Sequence, residues 1–215
     1  YIGIMCGTSL DSLDFSLCCF EKVKKLKTFK SYRINQKLRD KINLCKTKPN
    51  NLSLFNETDN EVTNFIISCL QKFMIFNKLN KIKAIGYPGI TLIHNPKRCI
   101  SKTLGNPKMI AAKTNFKVIG DFRLSDMKAG GQGAPLAPYF HEYISSKEKP
   151  FVNILNLGGF ANWTFKSGNK LMAYDTGPAN YLIDLISNRY FNVPYDRNGL
   201  LAKKGKINDE ALVAM

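Results

Sequence analysis

The chain has 215 residues, of which 44% are hydrophobic and 22% are charged. This length is sufficient for one large domain or two small ones. No window approaches the roughly 18 uninterrupted apolar residues of a membrane-spanning helix, so we expect a folded protein without a membrane partner. The six cysteines form no CxxC pair and have no metal-spaced histidine, which argues against a zinc site and a disulfide framework and favours the reducing cytoplasm.

The net charge of +16 is a common feature of proteins that bind nucleic acid. The lysines are scattered, however, apart from a modest cluster at residues 22–30, and they accompany frequent Asn, Ile and Phe. Because an interleaved aromatic or recognition-helix pattern is missing, nucleic-acid binding is the least favoured of the functions considered.

The two ends of the sequence lack the signals of natural termini. The chain starts at Tyr1 with no basic segment or small-residue cleavage site, so we expect no signal peptide. It ends at Met215 within a stretch that has helical character, residues 208–215. We therefore expect that this sequence lacks both its natural start and its natural C-terminus.

Strands and helices are predicted from the apolar pattern in chain order. Residues 1–5 and 13–20 are apolar runs around a polar loop, which predicts a β-hairpin. Residues 21–53 are rich in Lys and Asn and are assigned as strand and loop. Residues 58–76 carry apolar side chains at spacings of three and four, which predicts a helix. Short strands are predicted at 82–85 and 117–120, each ending in a loop.

The second half of the chain repeats the opening pattern. A helix at 138–145 and a charged linker at 146–150 precede strands at 151–155, 160–165 and 171–174 and a helix at 180–190. Both halves begin with a strand, a glycine-containing loop and a second strand. We therefore predict two related domains, an N-terminal one at 1–146 and the start of a C-terminal one at 151–215.

Three glycine-containing loops are predicted to follow strands, at residues 7–9, 130–133 and 158–159. Loops of this kind can direct backbone N–H groups at phosphate oxygens. A tight turn is the simpler alternative for any one of them alone. Neither the Walker A pattern nor the dinucleotide G-x-G-x-x-G pattern is present.

Several carboxylates are predicted beside the first glycine loop or after strands, and a strand-terminal Asp is well placed to act as a general base. Asp11 and Asp14 lie beside the first glycine loop, Asp121, Asp126 and Asp175 are expected after strands, and Asp196 lies beside Arg197. The alternative for each is a turn-capping role. The combination of Asp121 with Arg123 at a predicted strand end suits phosphoryl transfer, because the acid takes a proton while the cation offsets phosphate charge. His141 is interpreted as a helical surface or packing residue, and His94 is unassigned.

Residues 2–14, with the sequence IGIMCGTSLDSLD, resemble the "GxMSGTSxDGxD" signature of the anhydro-N-acetylmuramic acid kinases. Five further blocks follow in the order expected for that family. They are GDFR at 120–123, DMKAGGQGAPL at 126–136, NLGGFAN at 156–162, DTGPAN at 175–180 and PYDRNG at 194–199.

The resemblance implies an α/β, actin/hexokinase-like (ribonuclease H-like) fold of two domains, the second one incomplete here. It also implies a cytoplasmic enzyme of peptidoglycan recycling, which opens 1,6-anhydro-N-acetylmuramic acid with water and transfers the γ-phosphate of ATP to the freed 6-oxygen. The implied ligands are this amino sugar, ATP and Mg²⁺ carried with the nucleotide. The resemblance names no metal ligand on the protein and leaves a homodimer open.

Residue roles carried over from the family fall into three sets. Asp121 would be the catalytic base. The ATP-binding set would be Gly7, Thr8, Ser9, Leu10, Asp11, Ser12, Leu13, Asp14, Gly158, Gly159 and Asn162. The substrate-binding set would be Asp14, Arg123, Asp175, Thr176 and Gly177.

The sequence departs from the family pattern at several positions. The family has Ser-His-Gly-Gln-Thr where this chain has the residues YPGIT at 87–91. Cys6 replaces a Ser, and Ser12 and Ala179 each replace a Gly. A kinase is therefore the first hypothesis, and a degenerate, non-catalytic kinase-like protein is the second.

Overall fold

The computed structural model describes residues 1–7, 9–20, 25–145 and 151–214. The chain divides into two compact units, Tyr1–Leu136 and Ala137–Met215. The linker predicted at residues 146–150 lies outside the described residues, so the predicted domain boundary stays a prediction.

The first unit is a mixed α/β structure. In chain order it contains β1 (Ile2–Cys6), β2 (Ser12–Cys19), β3 (Lys25–Arg33), α1 (Gln36–Thr47), α2 (Leu52–Phe76), β4 (Ile85–Gly86), β5 (Ile90–Asn95), β6 (Ile100–Leu104), α3 (Pro107–Thr114), β7 (Val118–Ile119) and α4 (Phe122–Lys128). Five of the strands form one sheet in the order β3-β2-β1-β4-β7, and β5 pairs with β6 as a separate hairpin.

The large sheet combines antiparallel and parallel strands. Strands β1, β2 and β3 are antiparallel neighbours, which confirms the hairpin predicted at the start of the chain. Strand β4 runs parallel to β1 on one side and to β7 on the other. The strands predicted at 82–85 and 117–120 exist, but each is only two residues long.

The core of the first unit lies between this sheet and the helices. Alternate side chains of β1, Ile2 and Ile4, are buried, as expected for a strand with one covered face. They belong to the same apolar cluster as Ile66 and Phe73 of α2. The predicted helix over 58–76 is confirmed, and it begins six residues earlier, at Leu52.

Residues 21–53 correct a prediction, because the segment includes a helix where we expected only strand and loop. Helix α1 begins after Asn35, whose side chain accepts a hydrogen bond from the Leu38 N–H. Its buried side chains are Leu38, Ile42 and Cys45, at spacings of four and three. The signal was weak because this apolar stripe is narrow and the surrounding residues are polar.

The second unit is smaller and is built on an antiparallel sheet. It contains α5 (Ala137–Ile144), β8 (Phe151–Leu157), β9 (Phe160–Ser167), β10 (Lys170–Pro178), α6 (Asn180–Phe191) and α7 (Asp209–Ala214). The sheet order is β8-β9-β10. The predicted strands and helices of this half are confirmed. His141 of α5 has the predicted packing role, since its Nδ1 lies 2.8 Å from the buried Thr164 hydroxyl of β9.

Apolar side chains of the second unit remain largely exposed. Among its described residues, the buried ones are Pro138, Ala161, Thr164 and Ser187, and none of these is a large apolar side chain. Phe151 is 64% exposed and Leu157 62% exposed on β8, and Ile186 is 52% exposed on α6. Among the described helices, including the 25-residue α2, none has both the length and the apolar character needed to cross a bilayer.

Candidate active site

Loops of the first unit meet at the carboxyl edge of its parallel strands. Strand β1 leads into Gly7, β4 leads into Tyr87, and β7 leads into Gly120 and Asp121. In open α/β sheets this edge is where ligands bind. The first glycine turn and the predicted catalytic carboxylate therefore lie along one edge of one sheet.

The turn after β1 has backbone N–H groups without a partner among the described residues. The Leu10 N–H donates to the Gly7 carbonyl at 3.1 Å, and Leu10 has a positive φ of 59°. The N–H groups of Gly7 and Ser9 donate to no described residue. Such donors are what a phosphate-binding turn requires. Thr8, predicted to bind ATP, lies outside the described residues.

The other predicted ATP-binding residues of this turn differ in accessibility. Leu10 is 1% exposed and Leu13 is 0% exposed, so their side chains belong to the core and only their backbone faces the turn. The Ser12 hydroxyl donates to Asp14 Oδ1 at 2.8 Å. Asp11 is exposed, and its Oδ1 lies 3.4 Å from Nη1 of Arg39.

Cys6, which replaces a serine of the family signature, is buried at the end of β1. Burial, with a further contribution from Asp14, raises the pKa of the Cys6 thiol to about 12. The thiol is therefore neutral at physiological pH, and Cys6 is a packing residue and not a nucleophile.

Asp121 lies where the sequence placed it, after a strand. It occupies the N-cap position of α4 with a positive φ of 54°, and its side chain makes no capping hydrogen bond. Its carbonyl accepts the Ser125 N–H at 2.9 Å, and the residue is exposed. The backbone of Asp121 is thus fixed by the helix while its carboxylate remains accessible.

The glycine run at 130–133 corrects a second prediction, because it follows α4 and not a strand. Asp126, also expected after a strand, lies inside this helix. Gly130 and Gly131 donate to carbonyls of α4, at 3.1 and 2.9 Å, and Gly133 donates to Asp126 Oδ2 at 2.7 Å. Since these donors are already used, the run is a helix-terminating turn and not a free phosphate loop.

Arg123 is held against this turn. Its Nη1 donates to the Gly133 carbonyl at 2.8 Å. Burial lowers the pKa of the guanidinium from its ordinary value, although arginine remains charged at any physiological pH. The position of the cation predicted to bind substrate therefore depends on the Gly133 backbone.

Three polar residues form a row across the sheet of the second unit. Asn162 on β9 pairs with Asn156 on β8 and with Asp175 on β10. Residues directly opposite each other share one face of a sheet, so the register brings together the predicted ATP-binding Asn162 and the predicted substrate-binding Asp175. Asn156 was not assigned a role from the sequence, because only the strand register reveals this neighbourhood.

The position of Asp175 corrects a third prediction, because Asp175 lies inside β10 and not after a strand. The register shifts between Asp175 and Gly177, which marks a β-bulge, and Gly177 has a φ of 147°. The Thr176 hydroxyl donates to the Ala161 carbonyl at 3.3 Å. Bulges redirect side chains and occur frequently beside active sites.

The Gly158-Gly159 turn lies at the end of β8 and contacts the start of α6. The Gly158 carbonyl accepts the Asn180 N–H at 3.0 Å, and the Gly159 carbonyl accepts the N–H groups of Ala179 and Tyr181. The N–H groups of the two glycines donate to no described residue. Their carbonyls are thus fixed on the helix, while their N–H groups have no partner in the part of the chain that the structure describes.

Two further sequence features have structural explanations. Asp196 accepts the Leu201 and Ala202 N–H groups at 2.8 and 3.0 Å, which confirms the turn-capping alternative for this residue. Tyr87, in the altered 87–91 segment, is 1% exposed and donates from its hydroxyl to the Leu104 carbonyl at 2.8 Å. Ile90 is 3% exposed, so both replacements fill the core.

Comparison with known proteins agrees with the resemblance noted in the sequence. A sequence model of the family described as "Anhydro-N-acetylmuramic acid kinase" matches residues 1–215. Relatives with this name include a protein of Sulfurovum sp. (strain NBC37-1), 40% identical over 100% of this chain and 61% of the relative. One from Sulfurimonas denitrificans is 39% identical over 99% of this chain and 59% of the relative.

A Haemophilus influenzae protein of the same name is 37% identical over 97% of this chain and 56% of its own length. The chain thus spans about 60% of the length of the curated relatives it matches. The match of the family model over the full 215 residues means that the chain belongs to the anhydro-N-acetylmuramic acid kinase family.

Proposed function

We propose that the protein containing this chain is an ATP-dependent kinase that converts 1,6-anhydro-N-acetylmuramic acid to N-acetylmuramic acid 6-phosphate in the cytoplasmic recycling of peptidoglycan. The observation that carries the proposal is the set of free backbone donors after β1 on the same sheet edge as Asp121. Family membership supports the choice of sugar, because the relatives carry the name of this kinase.

The reaction couples the opening of a bridge to phosphoryl transfer. A water oxygen bonds to the anomeric carbon while the bond from that carbon to the bridging 6-oxygen breaks. The freed 6-oxygen then attacks the γ-phosphorus of ATP, and the β,γ-anhydride bond breaks to release ADP. A carboxylate accepts the proton of the attacking water.

Asp121 is our first candidate for this carboxylate, because it is accessible on a fixed backbone at the ligand-binding edge of the sheet. Asp175 is the second candidate. It lies beside a β-bulge, which can redirect side chains, and it belongs to the polar row with Asn162. Both are exposed. The family pattern suggested Asp121 for the base and Asp175 for substrate binding, and the two roles are separable by experiment.

Backbone donors are proposed to bind the phosphates of ATP. Gly7 and Ser9 in the first unit and Gly158 and Gly159 in the second have N–H groups that donate to no described residue. Mg²⁺ is expected with the nucleotide, since Mg²⁺ in kinase sites is bound mainly by phosphates, water and one or two carboxylates. This mode fits the described residues, among which no cluster of three acidic, His or Cys side chains occurs.

We further propose that the fold is actin/hexokinase-like, with domains at 1–146 and from 151 onward. The mixed sheet of the first unit is compatible with this fold. In the second unit, the exposed apolar faces of β8 and α6 suit coverage by the segment that relatives carry beyond the match. The whole site would then require both parts.

The test is an ADP-release assay on the chain joined, after Met215, to the part of the Sulfurovum relative that lies beyond the match. We expect turnover that depends on the anhydro sugar, and a loss of about 10² to 10⁴ in kcat for the variant that removes the base. Asp121→Asn and Asp175→Asn are compared directly, and the larger loss in kcat assigns the proton acceptor.

Ser145→Ala is the control, because Ser145 lies outside both proposed phosphate turns. A chimera that binds ATP and the sugar but releases no ADP would contradict the proposal and favour the non-catalytic kinase-like alternative. Mobility shifts of DNA or RNA at low salt test the nucleic-acid alternative, and no shift is expected.

A further inference from the structure

Gly133 is enclosed by three neighbours at the end of the α4 turn. A methyl group added at Gly133 would lie 2.9 Å from Cε1 of His94, 2.9 Å from the Arg123 carbonyl oxygen and 3.0 Å from Cγ of Met127. These separations are shorter than ordinary carbon contacts. The His94 ring therefore packs directly over the Gly133 backbone.

The two backbone groups of Gly133 are both bound to side chains of α4. Its N–H donates to Asp126 Oδ2 at 2.7 Å, and its carbonyl accepts from Arg123 Nη1 at 2.8 Å. Gly133 also has a φ of 71°, a conformation that glycine adopts without strain. Any movement of this peptide therefore moves the acceptor that orients the Arg123 guanidinium.

His94 reaches Gly133 from a separate structural element. It lies on β5, directly opposite Ser101 on β6, and β6 packs against α4. His94 Nδ1 is buried and has no hydrogen-bond partner among the described residues. The ring thus contributes packing and not a hydrogen bond to the Gly133 turn.

We propose that His94 is a positioning residue whose imidazole ring clamps the Gly133 peptide and thereby fixes the direction of the Arg123 guanidinium. Guanidinium groups recognise anionic ligands through a planar fork of donors, so their orientation determines how well they bind. The effect on substrate rests on the proposed function, in which Arg123 binds the sugar. The clamp itself is a property of the first unit and can be tested without turnover.

The direct test is ¹⁵N NMR of the Arg123 side chain in the 215-residue chain, measuring exchange of the Nε–H with solvent. This proton is buried in the wild type. We expect His94→Ala to speed its exchange about tenfold, the equivalent of one weakened hydrogen bond. His94→Phe keeps a ring over Gly133 and should restore slow exchange, whereas Ser101→Ala on the opposite strand should leave exchange unchanged.

Unchanged exchange in His94→Ala, or failure of His94→Phe to restore it, would overturn the proposal. A melting temperature measured alongside distinguishes local loosening from unfolding, and His94→Leu replaces the Ala variant if that variant is unstable. In the chimera, His94→Ala should raise KM for the sugar about tenfold and leave KM for ATP unchanged. An inactive wild-type chimera with the expected NMR result would refute the proposed function and leave the clamp in place.

Discussion

The two units of the chain differ in how completely their apolar residues are covered. In the first unit, β1, β2, α1 and α2 enclose a continuous cluster that includes Phe15, Phe73 and Ile85, each fully buried. In the second unit, a sheet of similar strand lengths exposes Phe151, Leu155 and Leu157. The first unit therefore has an extensive apolar core, whereas the described part of the second unit leaves most of its large apolar side chains exposed.

This difference predicts separate unfolding of the two units, because local stability follows buried apolar contact. The sequence supplies a probe for it. Trp163 is the only tryptophan of the chain and lies on β9 in the second unit. Its fluorescence reports the second unit, while far-ultraviolet circular dichroism also reports the helices of the first.

The largest expected effect is the destabilisation of the first unit by Phe15→Ala, which removes a ring from its core. Phe15 is fully buried, with its ring centroid 5.3 Å from that of Tyr32 and 5.5 Å from that of Phe73. Truncation should lower the free energy of unfolding by about 3 to 5 kcal/mol, measured by urea titration with circular dichroism. The exposed Phe151→Ala should change it by less than about 0.5 kcal/mol, and equal losses would remove the contrast between the units.

The second effect is a loss of stability at alkaline pH, caused by two buried thiols of the first unit. Folding raises the pKa of Cys6 to about 12 and of Cys69 to about 11, mainly by burial, from 9.0. Above pH 9 the unfolded chain therefore binds fewer protons than the folded one, so stability falls as pH rises. Of the stability lost by pH 11, we expect about 3 kcal/mol to come from Cys6 alone, from about 1.4 kcal/mol per unit of pKa difference.

Urea titrations at pH 8 and pH 11 measure this loss. Cys6→Ser, which restores the family residue, should reduce it, and Cys99→Ser is the control because Cys99 is exposed. A loss that is the same in both variants would show that Cys6 is not its source.

An intermediate effect on stability is expected at glycines with positive φ, and its size should depend on whether the space around the glycine is filled. A methyl group at Gly105 would collide with the Tyr87 hydroxyl and lie 2.8 Å from Cδ1 of Ile66, whereas one at Gly168 meets nothing within 4 Å. Gly105→Ala should cost about 2 to 3 kcal/mol by strain plus overpacking. Gly168→Ala should cost only about 1 kcal/mol of backbone strain, and a similar cost at both sites would contradict the packing argument.

The smallest effect tests the few buried contacts of the second unit. Thr164→Val removes the hydroxyl that lies 2.8 Å from His141 Nδ1 and should lower the stability of this unit by about 1 kcal/mol. The midpoint of the Trp163 fluorescence transition measures it. The signal from the first unit should not move, and a shift there would show that the two units unfold together.

The sequence predicted secondary structure best where one face of an element is buried. The opening hairpin and α2 were found because their apolar spacing matches the pleat and the helical turn. Helix α1 was missed because its stripe is only Leu38, Ile42 and Cys45 in a polar segment, although Asn35 offered a capping signal. Helix α4 was missed because its seven residues contain no long periodic pattern.

Site residues were harder to predict because their neighbours depend on pairing and backbone geometry. The Asn156, Asn162 and Asp175 row requires the strand register, which local spacing does not supply. The internal hydrogen bonds of Gly131 and Gly133 likewise distinguish a helix end from a phosphate loop, and both have glycine-rich sequences. The sequence motifs therefore located the glycine-rich loops, but only the hydrogen bonds in the structure showed which of them have N–H groups already bound to a helix.

Part of the high positive charge lies on the edge strand β3, where it can oppose association between copies of the chain. It forms one border of the five-stranded sheet, and Lys25, Lys27 and Lys30 project exposed from it. Two copies approaching border to border would bring these ammonium groups face to face, which opposes the strand pairing that starts aggregation. The lysines on this edge strand therefore disfavour edge-to-edge pairing between two copies of the chain.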